Sequence, residues 1–110
     1  MDQVADGLYV DKMTERQSSC YQVTAAVTVT QLCRASVKRV RLEIWSDGNT
    51  TINLGTKNTF DQQSFVQLPT GTFNHVIMDY DTHGTLLQQP WFVFAAAGTP
   101  IVSVIETVEY

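Results

Sequence analysis

The stretch FNHVIMDYDTHG, residues 73–84, decides the fold class because it joins a strand pattern to a turn pattern. Val76, Met78 and Tyr80 alternate with polar or mixed positions, as expected of a strand with one buried face. The DTHG sequence that follows is typical of a turn, since Asp opens turns and Gly accepts a left-handed backbone. We therefore predict a strand that runs into a turn before Gly84.

The same stretch carries two histidines and two aspartates that would share one face if the strand continued. These are His75, Asp79, Asp81 and His83. Side chains two positions apart on a strand are separated by about 6.6 Å, and those eight apart by more than about 25 Å, so one metal ion cannot bind all four. The pair Asp79 and Asp81 is the candidate for a Ca²⁺ site, with further ligands from neighbouring loops. The alternative that the turn chemistry favours is a solvated polar face.

Alternation recurs along most of the chain. The segment YQVTAAVTVTQ predicts one strand from residue 21 to residue 31, and KRVRLEIWS predicts another from 38 to 46. In the second strand Val40, Leu42 and Ile44 are predicted to point inward, and Arg39, Arg41, Glu43 and Trp45 outward. About seven strands with turns between them, and no long helix, predict an all-β antiparallel sandwich.

The length of 110 residues corresponds to one domain. Residues 1–19 have few apolar anchors and are predicted to form an N-terminal arm or short helix, whereas residues 20–110 are predicted to form the β-sandwich. The two cysteines, Cys20 and Cys33, lie too far apart along one strand to form a bridge, so we expect free thiols.

The composition excludes several classes of function. Charged residues make up only 16% of the chain and the net charge is −4, which argues against nucleic-acid binding because that needs a basic surface. The longest apolar run, WFVFAAAG, is far shorter than the roughly 20 residues that span a bilayer, so no membrane partner is expected. The N-terminal sequence has no secretory signal pattern, and we expect synthesis in the cytoplasm.

The segments VKRVRLEIWSDGN and LPTGTFNHVIMDYDTHG carry a local resemblance to a known fold. Together they span residues 37–84 and resemble immunoglobulin-like and fibronectin type III-like sandwich modules. The resemblance implies an Ig-like sandwich and no particular activity, since such modules have many functions. One departure is Phe73, which stands at the corner where many of these modules place a tyrosine.

Two groups of residues are candidate contact sites. Arg39 and Arg41 are predicted to share an outer strand face with Trp45, and Arg and Trp are favoured anchors in protein interfaces. Trp91 follows Pro90 and is a further interface candidate at a sheet edge. The alternatives are a solvated strand face for the first group and a core position for Trp91.

These observations favour a non-enzymatic structural or accessory subunit of a larger assembly. A virion or phage-particle component and a homo-oligomeric scaffold both fit, with protein partners and no cofactor. The second hypothesis is a carbohydrate-binding module that uses Trp45 or Trp91 for stacking and Asp79 or Asp81 as polar anchors. The third is a small enzyme with His75 or His83 as a base, although the sequence brings no nucleophile beside either.

Overall fold

The computed structural model of the chain describes residues 15–57, 66–71 and 74–110. Most of the predicted arm, part of the loop before residue 66 and the corner residue Phe73 lie outside the described residues. The described part is an antiparallel sandwich of two four-stranded sheets, so the predicted all-β sandwich is confirmed.

The strands are short in one sheet and long in the other. In chain order they are β1 (Arg16–Thr24), β2 (Thr30–Cys33), β3 (Arg39–Ser46), β4 (Ile52–Gly55), β5 (Val66–Leu68), β6 (His75–Asp79), β7 (Trp91–Ala95) and β8 (Ile101–Glu109). A one-turn helix α1 (Tyr80–His83) and a 3₁₀ helix (Gly84–Gln88) connect β6 to β7. Within the described ranges, no helix has the length and apolar character needed to cross a membrane.

The strand order identifies the kind of sandwich. The long sheet has the order β1-β8-β3-β6, and the short sheet has the order β2-β7-β4-β5. β1 pairs with β8, β2 with β7, β3 with β6, and β4 with β5. The described chain is therefore one long hairpin that is folded into two Greek keys. This is the eight-stranded jelly-roll arrangement. It differs from the immunoglobulin order, in which the first strand pairs with the second, so the Ig-like part of the prediction is corrected to a jelly roll.

The core fills the space between the two sheets. The long sheet contributes alternate residues of β3 and β8, and the short sheet contributes alternate residues of β4 and β7, as the two-residue period requires. The large core side chains with no exposed surface are Leu42, Ile44, Ile52, Leu54, Leu87, Trp91, Val93, Val102 and Val104.

The region predicted as one strand from 21 to 31 is two strands in different sheets. The Ala25 amide donates to Pro100 O, whose segment leads into β8 of the long sheet. The next residue, Ala26, accepts through its carbonyl from the Ala95 amide in β7 of the short sheet. The chain therefore changes sheets between these two alanines, and Val27, predicted to face the core, is 62% exposed.

The start of β1 and the end of β6 also refine the predicted boundaries. Residues 16–19, predicted to belong to the arm, are the first residues of β1. The division of the chain into an arm and a sandwich otherwise stays a prediction. β6 ends at Asp79, and the predicted turn over 81–84 is helical instead. The segment before Pro90 forms the 3₁₀ helix, and the next strand starts at Trp91.

Candidate functional site

The outer face of the long sheet, which points away from the core, carries apolar, small polar and charged side chains. Strand β8 places Ile101 there, and β6 places Ile77; these side chains are 43% and 41% exposed. The other residues of this outer face are Arg16, Ser18, Cys20, Gln22, Thr24, Arg41, Glu43, Trp45, His75, Asp79, Ser103, Ile105, Thr107 and Glu109. Trp45 and the isoleucines form its apolar part, and charged side chains are contributed by Arg16, Arg41, Glu43, Asp79 and Glu109.

Trp45 and Arg41, two of the predicted interface residues, lie on this outer face. The Trp45 indole stacks on the His75 imidazole of the neighbouring strand, with ring centroids 4.1 Å apart and an interplanar angle of 16°. Glu43 lies between them in sequence, 3.2 Å from Arg41 Nε, and accepts from Trp45 Nε1 at 3.4 Å. These contacts fix the orientation of both side chains, and His75 covers one face of the indole.

Arg39, the third predicted interface residue, points into the sandwich, so its predicted outward orientation is wrong. A β-bulge between Arg39 and Arg41 inserts Val40 and shifts the alternation by one residue, which reverses the direction of the arginine. The guanidinium is 1% exposed. It donates to Leu87 O at 2.9 Å, to Gln89 O at 3.0 Å and to Arg34 O, and so ties the 3₁₀ helix and the loop before β3 to the core.

The buried arginine belongs to a cluster of ionisable side chains at one end of the sandwich. Glu106 Oε2 lies 3.4 Å from Arg39 Nη2 and accepts from the Tyr21 hydroxyl at 2.8 Å. The same hydroxyl lies 3.0 Å from Leu32 O in the opposite sheet. The pKa of Tyr21 is raised above its ordinary value. Burial is the larger cause, and the hydrogen bond to Glu106 is the second. The cluster thus joins the two sheets at Tyr21, the residue at which the exposed part of β1 ends.

Sequence reasoning missed this cluster, although one signal was available. In β8 the residues Val102 and Val104 point inward, and continued alternation places Glu106 on the same side. A carboxylate at an inward position needs a buried cation or donor as its partner. The bulge that supplies Arg39 has no comparable signal in the sequence.

Trp91, the fourth predicted interface residue, is part of the core. The indole has no exposed surface and lies in β7, in the middle of the short sheet. It therefore offers no surface to a partner or to a stacked sugar. Trp91 occupies the core position that the sequence offered as the alternative.

The proposed cation pair is separated by the end of β6. The Asp79 carboxylate caps α1 and accepts from the Thr82 amide at 2.8 Å, a hydrogen bond that lowers the pKa of the Asp79 carboxyl. Asp81 is the second residue of α1, and side chains two residues apart at the start of a helix point in different directions. His83 Nδ1 lies 3.2 Å from both the amide nitrogen and the carbonyl oxygen of Asp79. In the described ranges no three His, Cys, Asp or Glu side chains gather into a metal site.

The free edge of the long sheet is formed by β1, which no described strand flanks on its other side. The Ala25 amide donates to Pro100 O, and the Tyr110 amide donates to Glu15 O, so odd-numbered residues of this strand bond to β8. Backbone groups alternate between the two sides of an antiparallel strand. The N–H and C=O groups that point away from β8 therefore belong to Arg16, Ser18, Cys20, Gln22 and Thr24.

Within the part of the chain that the structure describes, this edge lacks the features that usually prevent pairing with another chain. Proteins protect edges with short strands, Pro, Lys or a bulge. β1 is nine residues long, contains neither Pro nor Lys, and keeps an unbroken register with β8 from Arg16 to Thr24. Its one charge, on Arg16, is paired with Glu109 at 2.9 Å. We define these outward-pointing backbone groups as the β1 edge.

The two cysteines have opposite environments, and both are free thiols as expected. Cys20 is exposed at the midpoint of β1. Cys33 is buried at the end of β2, and this burial raises the pKa of its thiol to about 11, although Arg39 nearby acts in the other direction.

Comparison with known proteins relates the chain to a solved structure at the level of fold. No family model and no curated protein matches the sequence. A solved structure described as "Bacillus endospore appendages form a novel family of disulfide-linked pili" matches with a TM-score of 0.54 and 12% sequence identity. The match covers 88% of this chain and 87% of that chain. At this identity the likeness shows that the two chains share a β-rich fold.

Proposed function

We propose that the protein is a non-enzymatic structural subunit that joins a larger assembly through the β1 edge. The observation that carries the proposal is this long, unprotected edge, with five residues whose backbone donors and acceptors point outward. An exposed edge of this kind binds an extended strand from another chain through main-chain hydrogen bonds. Burial of the edge in an assembly also removes the risk of uncontrolled aggregation.

The outer face of the long sheet adds a second contact surface beside this edge. Cys20 on β1 lies opposite Ile105 on β8, and Ile101 is 43% exposed at the end of the same strand. A partner strand at the β1 edge would extend this face and bring its own side chains beside these residues. Edge and face together therefore form one continuous surface.

The structural neighbour supports the same class of function by analogy. That structure comes from disulfide-linked pili of Bacillus endospores, and pili are assemblies of repeated subunits. Jelly rolls also form viral capsid and lectin domains, so the fold is compatible with a virion component and does not select it. Membership of a virion and synthesis in the cytoplasm stay predictions.

The two remaining hypotheses have less support in the described residues. A carbohydrate platform would need an open aromatic face, but Trp91 is buried and His75 covers one face of Trp45. A cleft of about 350 Å³ between the β3–β4 and β7–β8 turns is lined by residues without ionisable side chains. An enzyme would need a base beside a nucleophile, but the contacts of the two histidines are of another kind: His75 stacks on Trp45, and His83 Nδ1 lies against the backbone of Asp79.

Sedimentation analysis of the full chain over a range of concentrations tests the proposal. Gln22→Pro removes an outward N–H from the β1 edge, a position where proline is tolerated because the N–H does not bond to β8. We expect the wild type and the control Gln22→Ala to associate, and Gln22→Pro to remain monomeric with an unchanged circular dichroism spectrum. A wild-type chain that stays strictly monomeric at high concentration contradicts the proposal.

A further inference from the structure

We propose that the partner at the β1 edge is the β1 edge of a second copy of this chain. The two strands would run antiparallel in a register centred on Cys20, which joins the two long sheets into one eight-stranded sheet with two-fold symmetry. This inference rests on the proposed function, because it names the partner of the same edge.

Strand length favours a second β1 over the other edges of the sandwich. The remaining edge strands among the described residues are β6, β2 and β5, with five, four and three residues. Pairing β1 with any of these leaves between four and six of its nine residues without a partner. Two copies of β1 match in length, and only the register centred on Cys20 pairs all nine residues.

The alternation of backbone groups is compatible with this register. Arg16, Ser18, Cys20, Gln22 and Thr24 point outward, and in this register each lies opposite another outward-pointing residue of the second copy. Each such pair exchanges two hydrogen bonds, so five pairs form about ten bonds. This number is typical of a stable protein interface.

The side chains that face one another are also compatible. Arg16 of one copy lies opposite Thr24 of the other, and Ser18 lies opposite Gln22, so no like charges meet. The even-numbered side chains of both copies point to the same side, so the two outer faces become continuous. The two Cys20 residues lie opposite each other on the two-fold axis, with their Cα atoms about 5.5 Å apart.

Thiol cross-linking tests this register directly. A short bismaleimide adds to two thiols without a redox step, and we expect it to link two full-length chains efficiently through Cys20. Cys33→Ala, which removes the buried thiol, is expected to cross-link as the wild type does. Cys20→Ser is expected to abolish the covalent dimer. Failure of the wild type to cross-link under conditions in which it sediments as an oligomer contradicts the register.

A pair of double variants tests the register without cysteine chemistry. In Ser18→Lys/Gln22→Lys each introduced ammonium lies opposite another one, and we expect the dissociation constant to rise at least about tenfold. In Ser18→Lys/Gln22→Glu each ammonium lies opposite a carboxylate, and we expect the dimer to persist. Both variants lose the same Ser18–Thr107 hydroxyl contact, so their difference reports the facing pairs.

The outcomes separate this inference from the proposed function. Equal association of the two double variants, or oligomers that Gln22→Pro disrupts but bismaleimide does not link, would show a different partner at the β1 edge and retain the structural role. A wild-type chain that is strictly monomeric contradicts both. Selective loss of association in Ser18→Lys/Gln22→Lys, together with cross-linking at Cys20, supports the two-fold dimer.

Discussion

The two halves of β1 have different environments although they form one continuous strand. From Tyr21 onward, the inward side chains pack on the core, and the Tyr21 hydroxyl contacts the opposite sheet. From Arg16 to Cys20, every residue is exposed, on both faces of the sheet. The two halves pair with β8 in the same unbroken register.

Packing on the core therefore accounts only for the half of β1 that begins at Tyr21. Burial of apolar surface stabilises the half that begins at Tyr21, whereas every residue from Arg16 to Cys20 is exposed. Residues 16–20 bury no core side chain, and a sheet that served only the core would not need them. We propose that the outward backbone groups of Arg16, Ser18 and Cys20 serve contact with a partner.

Removal of Arg39 is the largest perturbation that we expect for the packed half. Arg39→Met leaves the carbonyls of Leu87 and Gln89 and the Glu106 carboxylate without their buried donor, which costs about 3 kcal/mol of unfolding free energy. Urea denaturation measures this change. The matched control is Arg41→Met on the exposed side of the bulge, with an expected change within about 0.5 kcal/mol. Equal losses would show that the buried cluster does not anchor the packed half.

Alkaline pH perturbs the same end of the sandwich through Cys33. The thiol ionises at about 11 in the folded protein and near 9.0 when unfolded, so raising the pH through this window deprotonates the unfolded chain first. The contribution of the protonated Cys33 thiol to the unfolding free energy is fully present below about pH 9, and roughly 2 kcal/mol of it is lost by pH 11. We expect Cys33→Ala to reduce this dependence, measured by denaturation at several pH values. A wild-type dependence that Cys33→Ala leaves unchanged would assign it to other groups such as Tyr21.

The Tyr21 hydroxyl offers a smaller test at the junction of the two halves. Tyr21→Phe keeps the ring and removes the contacts with Leu32 O and Glu106, with an expected cost of about 1 kcal/mol. Ser19→Ala, one inward position earlier in the exposed half, is expected to change stability by less than about 0.5 kcal/mol. A larger effect at Ser19 than at Tyr21 would remove the distinction between the halves.

The sequence predicted the sandwich because apolar residues recur at every second position in β3, β6 and β8. Val76 and Met78 point inward as predicted, and the alternation of Leu42 and Ile44 holds. It could not predict that the chain changes sheets between Ala25 and Ala26, because the alternation continues through this crossing. The order of pairing depends on contacts distant in sequence, which a local resemblance over residues 37–84 does not contain.

The candidate site was only partly predictable for the same reason. Trp45 and Arg41 lie on the outer face because regular alternation applies to them. Arg39 does not, because a single inserted residue in the bulge reverses its direction, and periodicity alone does not locate bulges. The β1 edge needs the complete strand order before it can be recognised, since an edge is defined by the absence of a neighbour.

The smallest expected effect concerns the ion pair at the start of the exposed half. Arg16 and Glu109 are 63% and 30% exposed, so water screens their attraction strongly. We expect Arg16→Ala to change the unfolding free energy by less than about 0.5 kcal/mol, with a double-mutant cycle against Glu109→Ala measuring the coupling. A coupling well above this value would mean that the exposed half contributes to folding in its own right. A small coupling keeps the distinction between the two halves of β1.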